Sequence, residues 1–230
     1  MRRHSEGFGL IELMVALTLG LVISLALSQM FISSKDTYLS QTASANLQED
    51  ARFVLNKLAQ DIRMVGTFGC LGSVKDASDT GDFAAVFKAP IQWQPGQRTL
   101  TLATTSVEAG RSEPDWVIQT DCSSTATAYS RGTDSDELRF PVQQQVYGFN
   151  ARRADLTLNG YALISNVSGF DVLFGVAQTP SEMSISRYVE IPDDPALIRS
   201  VRITLTLSDP AGRVKAQRFS VVAALRNRLG

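Results

Sequence analysis

The sequence predicts an α+β fold: a long N-terminal α-helix packed on a C-terminal antiparallel β-sheet. Three observations lead to it. No proline occurs before Pro90, so nothing in the first third of the chain forbids a continuous helix. Apolar residues in that third recur at helical spacing. Beyond residue 66 the period changes to two, with turn-forming residues between short apolar runs.

The first element is a short basic leader, residues 1–7, holding Arg2, Arg3 and Gly7. An apolar run starts at Phe8 and continues to about Ile32, with one charge, Glu12, near its start. A run of roughly 20 apolar residues crosses a bilayer. A lone carboxylate within it costs about 3 kcal/mol or more at mid-membrane, so Glu12 needs a role. An ordinary secretory signal puts its apolar region before the cleavage site. Here a cut at Gly7–Phe8 would precede it and leave the apolar segment on the chain; the alternative is an uncleaved single-span anchor. Arg2 and Arg3 hold the leader in the cytoplasm and leave the rest of the chain outside it.

The helix continues past the apolar run. Leu39, Ala43, Leu47, Ala51, Val54, Leu58, Ile62 and Val65 form one stripe, with Glu49, Arg52, Asn56, Gln60 and Arg63 on the other side. A single helix from about residue 8 to Val65 is expected, stopped by Gly66 and Gly69. At about 1.5 Å per residue it is roughly 85–90 Å long. The alternative is two helices broken near Ser33-Ser34-Lys35-Asp36. The chain thus divides into the leader, 1–7, an apolar half-helix, 8–32, an amphipathic half-helix, 33–66, and a β-rich domain, 67–230.

Residues 66–89, rich in Gly, Ser and Asp, read as a loop. Short strands are expected around 99–102 and 115–119, followed by a polar loop over 123–136. Further strands are expected at 137–140 and 143–149, on either side of Pro141. Residues 161–176 read as a strand pair, or one strand bent at Gly169. The clearest hairpin is C-terminal: Val201, Ile203, Leu205 and Leu207 alternate with polar residues. Asp209-Pro-Ala-Gly212 suits a type I turn. Val214 and Ala216, then Phe219, Val221 and Ala223, suggest a return strand with a bulge near Gln217-Arg218.

Composition narrows function. The chain has 22 basic and 23 acidic residues; without Arg2, Arg3 and Glu6, 20 and 22 remain. That balance, with basic residues scattered along the sequence, gives no general drive towards nucleic acid or anionic lipid, and no nucleic acid is expected as a partner. The single histidine is His4, in the leader. The mature chain therefore lacks Ser-His-Asp and Cys-His catalysis and histidine-bearing zinc sites, so no enzyme, catalytic residue, metal or cofactor is expected. Asp76, Asp79 and Asp82 near Gly81 depart from the calcium-loop pattern and read as an acidic loop. So do Asp134, Asp136 and Glu137, and Asp193-Asp194. Arg139, Arg152-Arg153, Arg226 and Arg228 read as solvated surface, and Trp93 and Trp116 as packing.

Gly7, Phe8 and Glu12 at this spacing resemble the type IV prepilin leader. The stretches Asp61-Ile-Arg-Met-Val-Gly-Thr-Phe-Gly-Cys70, Leu163-Ile-Ser-Asn-Val-Ser-Gly-Phe170 and Arg218-Phe-Ser-Val-Val-Ala-Ala-Leu-Arg-Asn-Arg228 resemble the PilW family of minor pilins of type IVa pili. The resemblance implies cleavage after Gly7 by a prepilin peptidase and N-methylation of Phe8. It gives Glu12 a role in subunit assembly, pairing with the N-terminal amine of a neighbour; a buried carboxylate is tolerable beside an ammonium. It implies a low-abundance subunit, anchored by a single pass in the inner membrane of a Gram-negative bacterium, that helps prime type IV pili. Its partners would be other minor pilins, the major pilin, a tip adhesin-like protein and the inner-membrane assembly platform. The alternative within the superfamily is a minor pseudopilin of a type II secretion system. In a periplasmic, oxidising compartment, Cys70 and Cys122 are expected to form a disulfide rather than two buried thiols.

Overall fold

The computed structural model describes residues 9–105, 113–132 and 136–226. Helix α1 spans Leu10–Met64, 55 residues without a break. Then follow β1 (Lys75–Asp76), α2 (Phe83–Lys88), β2 (Ile91–Gln94), β3 (Thr99–Thr105), β4 (Trp116–Thr120), β5 (Ala126–Tyr129), β6 (Leu138–Asn150), β7 (Asp155–Leu158), β8 (Tyr161–Ser165), β9 (Val167–Val176), β10 (Arg187–Val189), a 3-10 turn (Pro195–Leu197), β11 (Ile198–Leu207) and β12 (Gln217–Ala224).

The architecture is the α+β layout expected, with the strands divided between two sheets. One has eight strands, ordered β1-β5-β4-β6-β3-β2, with β7 and β8 continuing from β6. The other has four, ordered β10-β9-β11-β12. All pairings are antiparallel except β1 with β5. The helix stripe packs on this framework: Ala43, Leu47, Ala51, Val54, Leu58 and Ile62 are buried, together with Leu55 and Ala59 beside them. They join Phe170, Val172, Phe174, Val201, Ile203 and Leu205 from the four-stranded sheet, and Leu100, Leu102, Tyr147 and Leu156 from the other, in one core. A second, smaller core holds Phe68, Phe83, Val86, Trp116, Ile118 and Val142.

Several segments differ from expectation. Residues 66–89 are not all loop: they contain β1 and the six-residue α2. A helix that short is stabilised by burial rather than propensity; Phe83 is fully buried and Val86 nearly so. Phe83 also meets Phe68, Phe87 and Trp116 at ring-centroid distances of 5.5–6.0 Å. The polar stretch 123–136 contains β5, whose Ala126 and Ala128 pack into the second core. Pro141 does not divide β6. It pairs opposite Val117 of β4, in register with Phe140 and Val142 on either side.

Between β4 and β7, one edge of β6 has no partner strand among the described residues. The Asp115 carboxylate accepts from the Gln144 N–H at 2.7 Å and the Asn159 side chain from the Val146 N–H at 2.7 Å. The break in 161–176 lies at Asn166, in the left-handed region at φ 65°, and not at Gly169. It sends β8 and β9 to different sheets. The C-terminal turn closes as expected, with the Gly212 N–H on the Asp209 carbonyl at 3.0 Å. The expected bulge at Gln217-Arg218 is absent: β12 starts at Gln217 in unbroken register with β11, and Val214 and Ala216 belong to the connection.

Candidate functional site

The site of interest is the free half of α1. From Leu10 to Tyr38 every residue is exposed, and the most apolar window of the helix buries nothing. Leucine, isoleucine and valine side chains left in this state need a cover from outside the chain. A bilayer supplies one, and the helix is long and apolar enough to cross it. Two hydroxyls within the segment turn back onto the helix: the Thr18 hydroxyl donates to the Val15 carbonyl at 2.9 Å and the Ser28 hydroxyl to the Ser24 carbonyl at 2.8 Å. Such internal bonding makes a hydroxyl compatible with lipid. Leu13, Ala16, Leu17, Gly20, Leu21 and Ser24 outline a shallow apolar groove along one face, in which a Cβ at Gly20 would meet no side chain within 4 Å.

Glu12 lies in the first turn of α1 and is exposed. Its Oε2 accepts from the Gly9 N–H at 3.0 Å. This is half of a capping box; glycine has no side chain to return the bond. A carboxylate is favoured there by the unpaired N–H groups and the helix dipole. The arrangement leaves one carboxylate oxygen, Oε1, without a hydrogen-bond partner among the described residues, at the end of the chain where an external ammonium could approach. Gly7 and Phe8, the expected cleavage and methylation positions, lie outside the described residues.

Cys70 and Cys122 are joined as a disulfide, with their Cα atoms 5.4 Å apart. The bridge ties the segment leaving α1 to the end of β4, and Cys122 stands at φ 55°. Beside it, Asp121 accepts from the Ser124 hydroxyl and from the Thr125, Ser124 and Ser123 amides. These bonds hold its carboxyl well below the usual range. Asp76 accepts from Ser78 and from the Ala84 N–H of α2. Desolvation opposes this, yet the bonds keep it ionised more readily than usual. Asp82 takes the Trp116 indole N–H at 2.9 Å, which lowers its pKa. Asp79 instead donates its own N–H to Ser130. These carboxylates therefore act as ties within the fold, and no group of three or more potential metal ligands occurs among the described residues. Asp194 caps the 3-10 turn through the Ala196 N–H, and Asp193 pairs with Arg187 at 3.6 Å. Asp134 and Arg228 lie outside the described residues.

Sequence reading missed two buried polar positions. Arg199, 8% exposed, donates to the carbonyls of Pro180, Glu182, Ala196 and Ile198, so it gathers the connection between β9 and β11. Its position within a run of strand residues was the one available signal. Tyr147 donates its hydroxyl to Asp61 of α1, which also pairs with Lys57 at 2.9 Å.

Residues 2–28 match the family described as the prokaryotic N-terminal methylation motif. No curated protein and no solved structure matches the chain significantly. The match covers the leader and part of the free half of α1, whose side chains from Leu10 to Ser28 the fold leaves exposed. A prepilin-type N-terminus at the head of a 55-residue helix, laid on antiparallel sheets, makes this a pilin- or pseudopilin-like protein, with one apolar helix suited to single-pass anchoring in the inner membrane.

Proposed function

We propose that this protein is a minor pilin of the PilW type, a non-enzymatic structural subunit that helps prime assembly of type IV pili within a tip or initiation complex. The observation that carries the reading is the free half of α1: a prepilin motif over residues 2–28 on a helix whose apolar segment is uncovered. Prepilin peptidase cuts after Gly7, and Phe8 becomes the methylated N-terminus. The subunit first rests in the inner membrane, with its β domain in the periplasm. In the complex, other minor pilins, the major pilin and a tip adhesin-like protein replace lipid around α1, delivered through the assembly platform. Glu12 pairs with a neighbour's N-terminal ammonium. In lipid that pairing offsets the cost of the carboxylate and sets axial register.

The test is a deletion strain complemented with wild type or Glu12→Ala, scored for surface pili and for secreted exoproteins. Loss of pili with normal secretion, restored by wild type and not by Glu12→Ala, supports the reading. Normal pili with lost secretion would place the subunit in a type II secretion pseudopilus. No change in either would end the assembly reading.

A further inference from the structure

We propose that the end of the β domain nearest the apolar half of α1 is a docking surface for anionic phospholipid headgroups, which orients the domain on the membrane before assembly. The proposal rests on the reading that the apolar segment ending at Ile32 lies in a bilayer.

Four connections meet at this end, as their hydrogen bonds show. The Phe149 N–H donates to the Arg98 carbonyl, Val167 to Ala154, and Ser208 to Asn166. The Gln217 side chain, where β12 begins, donates to Ser44 of α1 at 2.8 Å. The opposite end is marked by the Val65–Thr104 bridge, beyond which lie the second core and the disulfide. The end carrying residues 95–98, 150–155, 166–171 and 208–218 therefore faces back along α1 towards its apolar half.

That end is cationic. Arg98, Arg152, Arg153, Arg213, Lys215 and Arg218 stand there, all exposed, against three carboxylates, Asp155, Asp171 and Asp209. The pairs Arg153–Asp155 and Arg213–Asp209, at 3.0 and 2.8 Å, and the looser Arg98–Asp171, at 3.9 Å, use up those carboxylates. Arg152, Lys215 and Arg218 have no ion-pair partner among the described residues. Helix α1 adds no charge between Thr37 and Gln48, and Lys35 and Asp36 below offset each other. The far lobe has the reverse balance: residues 67–89, 113–132 and 136–142 hold eight carboxylates and four cations. The charge asymmetry thus runs along the helix, positive side towards the membrane.

The distance suits contact. The domain begins to cover α1 at Leu39, seven residues beyond Ile32, or roughly 10 Å along the axis. The headgroup layer takes up roughly 5–7 Å of that, and the remainder is within a Debye length of about 8 Å at physiological salt. At that range each lysine or arginine strengthens association with an anionic leaflet roughly fivefold. The surface is also indented: an open cleft of about 560 Å³ lies between the sheets there, lined by Arg98, Phe149, Ala154, Ser168 and Ser208 among others. A headgroup phosphate can enter it beside a guanidinium and two hydroxyls.

The experiment uses the full chain in lipid nanodiscs, with a bimane on Ala211→Cys and nitroxide-headgroup lipid as quencher. Quenching is expected in phosphatidylglycerol-containing discs, to fall in pure phosphatidylcholine, and to reverse at high salt. In the triple variant Arg152→Glu, Lys215→Glu, Arg218→Glu, the docked-to-undocked ratio should fall by well over tenfold, with melting unchanged because all three side chains are exposed. Equal quenching in both lipids, or quenching retained by the triple variant, would overturn the proposal. So would a triple variant that loses self-association while keeping its lipid quenching, which would assign the patch to a neighbouring protein. A second label at Val22→Cys, read with acyl-chain nitroxide, separates the two levels. Quenched Val22 with unquenched Ala211 refutes the docking alone, whereas unquenched Val22 refutes the membrane reading beneath it and the docking with it.

Discussion

Tyr147 shows how one side chain can join helix and sheet. Its ring is fully buried, and its hydroxyl donates to Asp61 of α1. Burial, and then the Asp61 charge, push the phenol well above its usual value of 10.0. The folded chain therefore keeps this proton at a pH where the unfolded chain has released it, and stability is lost as pH rises above about 10. Tyr147→Phe should cost about 1–2 kcal/mol at neutral pH and lose the part of the alkaline decline due to this phenol. Urea unfolding of both full-length proteins in detergent, from neutral pH to about 11, measures the difference; parallel curves would refute it. Gly175 is a steric counterpart. A Cβ there would meet Ile185 and Tyr188 at 3.1 Å and press still closer on the Ser200 hydroxyl. Gly175→Ala should lower stability by about 1–3 kcal/mol, seen as a lower midpoint in thermal melts.

The amphipathic half of helix α1 has two faces with opposite tolerance to change. Leu58 is fully buried in the main core and Phe53 is 56% exposed, though both lie in the amphipathic half. Leu58→Ala should cost about 2–5 kcal/mol, and Phe53→Ala about 0.5 kcal/mol or less; a similar loss from both would mean the helix packs otherwise. The lobe around the second core depends on its bridge. Cys70 and Cys122 are 52 residues apart in sequence, and closing such a loop contributes roughly 4 kcal/mol on the chain-entropy view. In the double serine variant, amide exchange should rise first in α2, β4 and β5, while β9, β11 and β12 stay protected. Uniform loss of protection would show that the two cores unfold as one.

The molecule as a whole is a long helix whose apolar half supplies no residue to the cores of the β domain among the described residues. Among the described residues none before Ala43 is buried, so nothing in residues 9–32 contributes to either core. A chain starting at Ser33 should be soluble without detergent and melt within a few degrees of the full chain. Aggregation or a large drop in midpoint would mean the apolar half supports the fold.

Much of this was legible from order and spacing alone. The span of α1, the stripe from Ala43 to Ile62 and the alternation in β11 were readable because helix and strand periods depend on local geometry. The helix outran its possible break at Ser33–Asp36, since no residue there forbids helical torsions. The apolar run and the position of Glu12 were equally plain, because lipid selects on composition and length. What the spacing did not reveal depended on distant partners. Two sheets formed where one was expected because Asn166 turns the chain between β8 and β9, and β9 finds β11 some thirty residues on. α2 and β5 exist because their side chains complete a second core, and β6 runs through Pro141 because β4 pairs with it on either side of that residue. The cationic end of the domain likewise arises from four turns that are scattered in sequence and meet only in the folded chain. Local torsions and solvent partition act within a segment; sheet membership, core closure and surface charge depend on which segments come together.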